Sequence, residues 1–191
     1  MYLFFDTETT GLPLNWKAPM TDLDNWPRII QLAYASYDEG GNLLKKRVEL
    51  IKPDGWIMPT GDFWIENGFS QEQSEELGLP ILEVLQDFIT QVEQNPYLIA
   101  HNMSYDYNVA GAELIRAKLF AKKKPVKICT KDESTDFCKL EGPYGYKWPK
   151  LEELHHILFE EGFDNAHDAL ADVEACARCF FELVRRGVIN L

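Results

Sequence analysis

Apolar and aromatic residues fill positions 2 to 5 (YLFF) and stop at Asp6, the run of a buried strand that ends on a carboxylate. Ile29 to Tyr37 and Lys46 to Ile51 read as two further strands, and Asp38 to Asn42 between them, with Gly40 and Gly41, supplies a hairpin turn. Ser70 and Gln73 form a capping box ahead of a short helix, SQEQSEEL, that Gly78 stops. Positions 81, 82, 85, 88, 89 and 92 are apolar, the period of a helix with one buried face. Tyr97 to Ala100 is a short apolar strand, and the segment after Asn102, with its pattern VAGAELIRAKLF, predicts a helix that packs closely through Ala110, Gly111 and Ala112. A last strand over Val126 to Thr130 precedes helices near 134–140, 149–160 and 167–186. Residues 11–28 contain Gly11, Pro13, Pro19 and Pro27 and predict an ordered loop beside the first strand's end. The stretch from Pro53 to Gly68 reads as irregular. Strands feeding helices make this an α/β chain.

Composition narrows the picture. At 191 residues with 46% hydrophobic and 26% charged positions, the chain is expected to form one domain over 1–191 and is not a disordered or fibrous sequence. Four cysteines do not make a disulfide framework, no stretch approaches the length of a membrane span, and no signal peptide is expected, so a reducing, cytoplasmic setting follows. Cys176 and Cys179 lie in a helical pattern and read as buried small apolar residues rather than zinc ligands. The formal net charge of −12 opposes binding to nucleic acid through a broad phosphate-neutralising surface. Two routes around that obstacle exist: carboxylates that hold divalent cations, or a short substrate gripped locally. The basic run from Lys118 to Lys127 reads as a solvated loop.

Candidate chemistry gathers at three places. Asp6 and Glu8 stand two apart at the end of the first strand, so both side chains leave the same face, where they repel unless protons or cations bind. Asp106 follows a strand-to-helix junction, where capping and ligation are equal claims. His167 and Asp172 open the last helix. About 140° of helical rotation separates these positions, so His167 is expected to precede the helix while Asp172 projects from its second turn. Asp168 reads as helix N-terminal charge. His101 is expected to be oriented by backbone contacts, and neither His155 nor His156 reaches a carboxylate by any spacing rule. The aromatics of the 13–28 loop and Phe63 with Trp64 are candidates for base stacking or for closing the core edge, and Tyr144 with Tyr146, between Gly142 and Pro149, are expected to form another loop at the border of a substrate groove.

Together the three segments resemble the DEDDh exonucleases, the family that includes the proofreading subunit of bacterial DNA polymerase III, RNase T and oligoribonuclease. Asp6-Thr-Glu8-Thr-Thr-Gly11-Leu12 looks like the first block, His101-Asn102-x-x-Tyr105-Asp106 like the second, and His167 to Asp172 like the third, H-x-A-x-x-D. Order and spacing agree over nearly the whole chain. The resemblance implies a ribonuclease H-like fold, a five-stranded mixed β-sheet flanked by α-helices. It also implies that Asp6, Glu8, Asp106 and Asp172 hold two divalent cations, Mg²⁺ or Mn²⁺, with His167 as general base. Thr9, Thr10, Gly11 and Leu12 would then meet the terminal nucleotide, with Asn102 and Tyr105 also on the substrate side. The implied activity is 3′-to-5′ hydrolysis of single-stranded DNA or RNA ends, releasing nucleoside 5′-monophosphates and weakening as pH falls through about 6.5. A polymerase or a second copy is a further partner the family suggests, and no membrane is. The rival reading is a catalytically silent unit of the same fold that binds nucleic acid or docks a polymerase.

Overall fold

The structure, a computed structural model, describes residues 1–164 and 168–191. Five strands, β1 (Tyr2–Thr9), β2 (Ile29–Tyr37), β3 (Leu43–Leu50), β4 (Tyr97–Ala100) and β5 (Val126–Cys129), form one sheet in the order β3-β2-β1-β4-β5. β1 pairs antiparallel to β2, and β2 to β3, while β1 with β4 and β4 with β5 are parallel, so the sheet is mixed as expected.

β1 is covered on both faces, which is why its sequence is a continuous apolar run rather than an alternating one. Leu3 and Phe5 join the core beneath the helices α3 (Ile81–Gln94) and α4 (Met103–Arg116). Tyr2 and Phe4 point the other way, into a core shared with α6 (Leu151–Phe159) and α7 (Ala169–Arg185) through Leu154, Val173, Phe180 and Leu183. Cys176 and Cys179 belong to this second core, which matches their reading as small buried residues. Among the described residues no helix is long and apolar enough to cross a membrane.

Several boundaries differ from the sequence expectation. β1 runs on to Thr9, and β3 begins at Leu43 rather than Lys46. The 53–68 stretch is not wholly irregular: α1 (Asp62–Glu66) forms one short turn with no buried residue, so it leaves no periodic trace. α2 (Gln71–Leu77) is capped by Ser70, whose Oγ accepts from Gln73 N at 3.2 Å. α4 begins directly after Asn102, with Asp106 in its first turn, and ends at Arg116, short of Phe120, while α5 (Thr130–Cys138) follows β5 directly instead of waiting until 134. Two two-residue strands, β6 (Glu141–Gly142) and β7 (Gly145–Tyr146), form a small hairpin where a loop was expected. The lysines from 118 to 127 are exposed, as the solvated reading requires.

Candidate active site

β1 stays paired with β2 to its end, but β4 leaves it after the Phe4 to Ile99 pair. Beyond that point one edge of β1 has no strand partner, and its amides need another acceptor. Asp106, in the first turn of α4, supplies one: its Oδ1 accepts from Thr7 N at 3.1 Å and from Thr7 Oγ1 at 2.8 Å. Asp106 is 3% exposed and is not the helix cap, a position held by Asn102 in the left-handed region at φ 92°.

Asp6 and Glu8 flank Thr7 and leave the opposite face of β1, the one α7 covers. The N-terminus of α7 is seated there by two hydrogen-bonded groups. Asp168 caps it, accepting from Leu170 N and Ala171 N at 3.1 Å each. Gln31, which stands opposite Glu8 in the β1–β2 register, accepts from Ala169 N at 2.9 Å and donates to Asp168 Oδ2 at 3.4 Å. Asp172 therefore lies in the first turn of α7, not the second, because the helix starts only at Ala169. Carboxylate oxygens of Asp6, Glu8 and Asp172 come within 4.8 Å of one another.

Burial, and after it the crowding of like charges, raises the carboxyls of this group. Burial, then Asp106, Asp172, Glu8 and Asp168 in that order, push the Asp6 carboxyl well above its ordinary range. Glu8 rises to about 8, through burial first and then Asp172, Asp106 and Asp168. Burial lifts Asp106 to about 7, with the Thr7 hydrogen bonds opposing the rise and Asp172 adding to it. Carboxyls in this condition gain from any cation placed among them. The donors are hard oxygens from separate elements, a set that fits Mg²⁺ or Mn²⁺ and not a thiophilic metal.

Next to the carboxylates the chain turns out of β1 through Thr9, Thr10, Gly11 and Leu12. The Tyr105 hydroxyl donates to the Gly11 carbonyl at 2.8 Å and lies 2.5 Å from Thr9 Oγ1, while Trp64 Nε1 donates to the Thr9 carbonyl at 2.9 Å. Trp16 packs against Tyr105 with ring centroids 5.7 Å apart. Gly11 sits at φ 153°, and Leu12 is 71% exposed at the tip. Thr9, Thr10, Gly11 and Tyr105 are thus brought together beside Glu8 and Asp106. Asn102, at the start of α4, accepts at its Oδ1 from Lys131 Nζ at 2.5 Å. His101 is held between Thr130 Oγ1 and the Pro149 carbonyl, 3.0 Å from each, and burial drives it down to about 4. The expected base, His167, lies outside the described residues.

Comparison with known proteins shows which family the chain belongs to. Residues 3–180 match the RNase T family, described as exonuclease. The chain belongs to the DEDDh exonucleases of that family. No curated protein matches it in sequence. In fold, this exonuclease-family chain resembles Escherichia coli exonuclease I in complex with a dT13 oligonucleotide, with a TM-score of 0.74 at 20% identity over 96% of this chain and 40% of that one. It likewise resembles the moderately thermophilic exonuclease I of Methylocaldum szegediense, with a TM-score of 0.73 at 22% identity over 97% of this chain and 40% of that one. The chain therefore spans about two fifths of the length of these structures.

Two residues that hold these acids in place have partners that no local sequence pattern gives. Thr7 sits inside the Asp-Thr-Glu triplet, yet its partner Asp106 is 99 residues away. Gln31 reads as an ordinary strand residue, and the helix end it fastens is 138 residues on. For Thr7 the period of two did say that it must face away from Asp6 and Glu8.

Proposed function

We propose that residues 1–191 act as one 3′-to-5′ exonuclease unit that hydrolyses the terminal phosphodiester of single-stranded DNA or RNA and releases nucleoside 5′-monophosphates. One observation carries this reading: carboxylates of Asp6, Glu8 and Asp172 meet within 4.8 Å, at motif positions where DEDDh exonucleases carry their acids. The fold likeness to an exonuclease solved with a dT13 oligonucleotide supports a single strand as the ligand class.

Asp6, Glu8, Asp106 and Asp172 would hold two divalent cations, Mg²⁺ or Mn²⁺. When bound, such cations supply Lewis acidity to both oxygens of an in-line phosphoryl displacement. The chain's own contribution is to bring four acids together and orient them, with Thr7 fixing Asp106 and the Asp168–Gln31 pair fixing the helix that bears Asp172; their raised affinity for positive charge is what the cations would satisfy in place of protons. His167, as a neutral imidazole, accepts the proton of the attacking water. The turn from Thr9 to Leu12 receives the terminal nucleotide through backbone and an exposed apolar tip, contacts that read an end and not a sequence. Tyr105 backs that turn, and Asn102, at the start of α4, is assigned to the substrate side with it.

The test uses 5′-labelled single-stranded DNA and RNA of one sequence, incubated with Mg²⁺, with Mn²⁺, or with chelator. Stepwise shortening from the 3′ end with either cation, and none with chelator, is expected. Strands left intact under both cations, yet bound by the chain, would overturn hydrolysis in favour of a silent binding unit. The ratio of DNA to RNA rates assigns the sugar preference.

A further inference from the structure

α4 carries a second buried acid that the carboxylate site does not use. The Glu113 side chain is 1% exposed, and its Oε1 accepts from Arg28 Nε at 2.6 Å, from Arg116 Nη1 at 3.0 Å and from Ile29 N at 3.4 Å. Arg116 donates onward to the carbonyls of Leu23 and Trp26, the latter at 2.7 Å, and to Pro27 at 3.5 Å. The returning end of the 11–28 loop is thereby fastened to α4 through one carboxylate. Arg28 passes the hold across to the outgoing end: Thr10 N donates to the Arg28 carbonyl at 2.9 Å, and Arg28 N to Thr10 Oγ1 at 3.0 Å. The middle of the loop is seated on the same helix, since a Cβ built on Gly111 would lie 2.7 Å from Met20 Sδ.

Asp106 and Glu113 are seven residues apart on that helix. Seven residues make almost two whole turns, about 20° short, so both acids lie on one face roughly 10 Å apart along the axis. One rigid helix therefore presents an acid to the reaction centre and, two turns later, an acid to the loop that leaves it.

We infer that Glu113, with Arg28 and Arg116, is a positioning cluster that fixes the Thr10–Leu12 turn relative to Asp106 and so sets the grip on the terminal nucleotide. This inference rests on the exonuclease reading. The three residues touch no reacting atom. They act on binding by holding the turn at one distance from the carboxylates.

The test pairs Glu113→Gln, which keeps the shape and one acceptor but removes the charge, with Arg28→Gln, which removes the opposite partner from a partly exposed position. Each is expected to raise KM for a single-stranded oligonucleotide about tenfold, with kcat within about threefold of the parent. In a Leu12→Ala background the same changes should alter KM by less than about twofold, because the group being positioned is gone. A merely structural cluster would lower the melting temperature with KM unchanged, or would add its effect in full to Leu12→Ala, and either result overturns the inference. Amide exchange at Thr10 gives a readout that needs no turnover: it should quicken at least about tenfold in both variants while Thr7 stays protected. Unchanged Thr10 protection overturns the inference even if the chain is an active exonuclease. Faster Thr10 exchange in a chain that digests no strand supports the clamp and sinks the exonuclease reading alone. Should Glu113→Gln fail to fold, Arg28→Gln carries the test.

Discussion

Asp106 illustrates how one side chain serves the sheet and the chemistry together. Thr7 gives it two hydrogen bonds that a buried acid needs, and that anchoring also fixes which way the carboxyl faces. Replacing it by asparagine separates the two roles, because the amide oxygen still accepts from Thr7 while the charge is gone. Asp106→Asn is expected to lower the rate of strand shortening by more than about 100-fold, beyond the range typical for residues that merely support a metal ligand. In chelator at about pH 8, above the value near 7 to which its carboxyl is raised, the same variant should melt no lower than the parent, since a buried charge has been removed. Initial rates with Mn²⁺ and a melting curve in chelator check both halves. Among the described residues no such hydrogen-bond relief reaches Asp6 or Glu8, whose carboxyls are raised by burial and by neighbouring acids until a proton or a cation arrives.

At the scale of the element, the first turn of α7 decides whether Asp172 stays in place. Its cap is a single side chain, Asp168, that both bonds the helix and adds negative charge to the cluster. Two substitutions distinguish these effects. Asp168→Ala should cost about 1 kcal/mol of unfolding free energy through the lost cap, whereas Asp168→Asn, still a good cap, should cost little and should lower the value to which Glu8 is raised. Denaturant melts of the two variants in chelator provide the check. Elements of this kind were legible wherever burial is apolar and periodic: the Tyr2–Phe5 run and the face of α3 both announce themselves. They were hidden where the buried positions are polar. The opening of α5 went unread because its buried positions are Thr130 and Ser134, so no apolar period marks it, whereas the start of α4 was legible from the strand-to-helix junction that places Asp106. α1 was hidden for a different reason, five residues with none buried. Likewise the pair Asp6 and Glu8 was legible from the strand period alone, but the supports at Thr7, Gln31 and Glu113 depend on partners 99, 138 and 85 residues away that no local pattern encodes.

For the molecule as a whole, the acids at the site set a dependence of stability on pH. Asp6, Glu8 and Asp106 all keep their protons to higher pH in the folded chain than in the unfolded one. Between about 4.5, the ordinary glutamate value, and about 8, the folded state binds more protons, so stability is full below the window and is lost as pH rises through it. In chelator the unfolding free energy is expected to fall on the order of 3 kcal/mol across that range, and Mn²⁺ should restore most of it. Asp87, which despite burial is pulled down to about 2 by Tyr34, Arg47 and Lys45, acts only below this window and does not mask the trend. Melts at several pH values with and without Mn²⁺ test it, and a flat or rising profile in chelator would show that the three carboxyls do not share one field. The early stop of β4 has a wider consequence. By leaving a notch in the ladder instead of a finished edge, it provides a socket into which an acid 99 residues away plugs without unpicking any strand pairing, so the frame and the side chain that fills the notch are specified by separate parts of the chain.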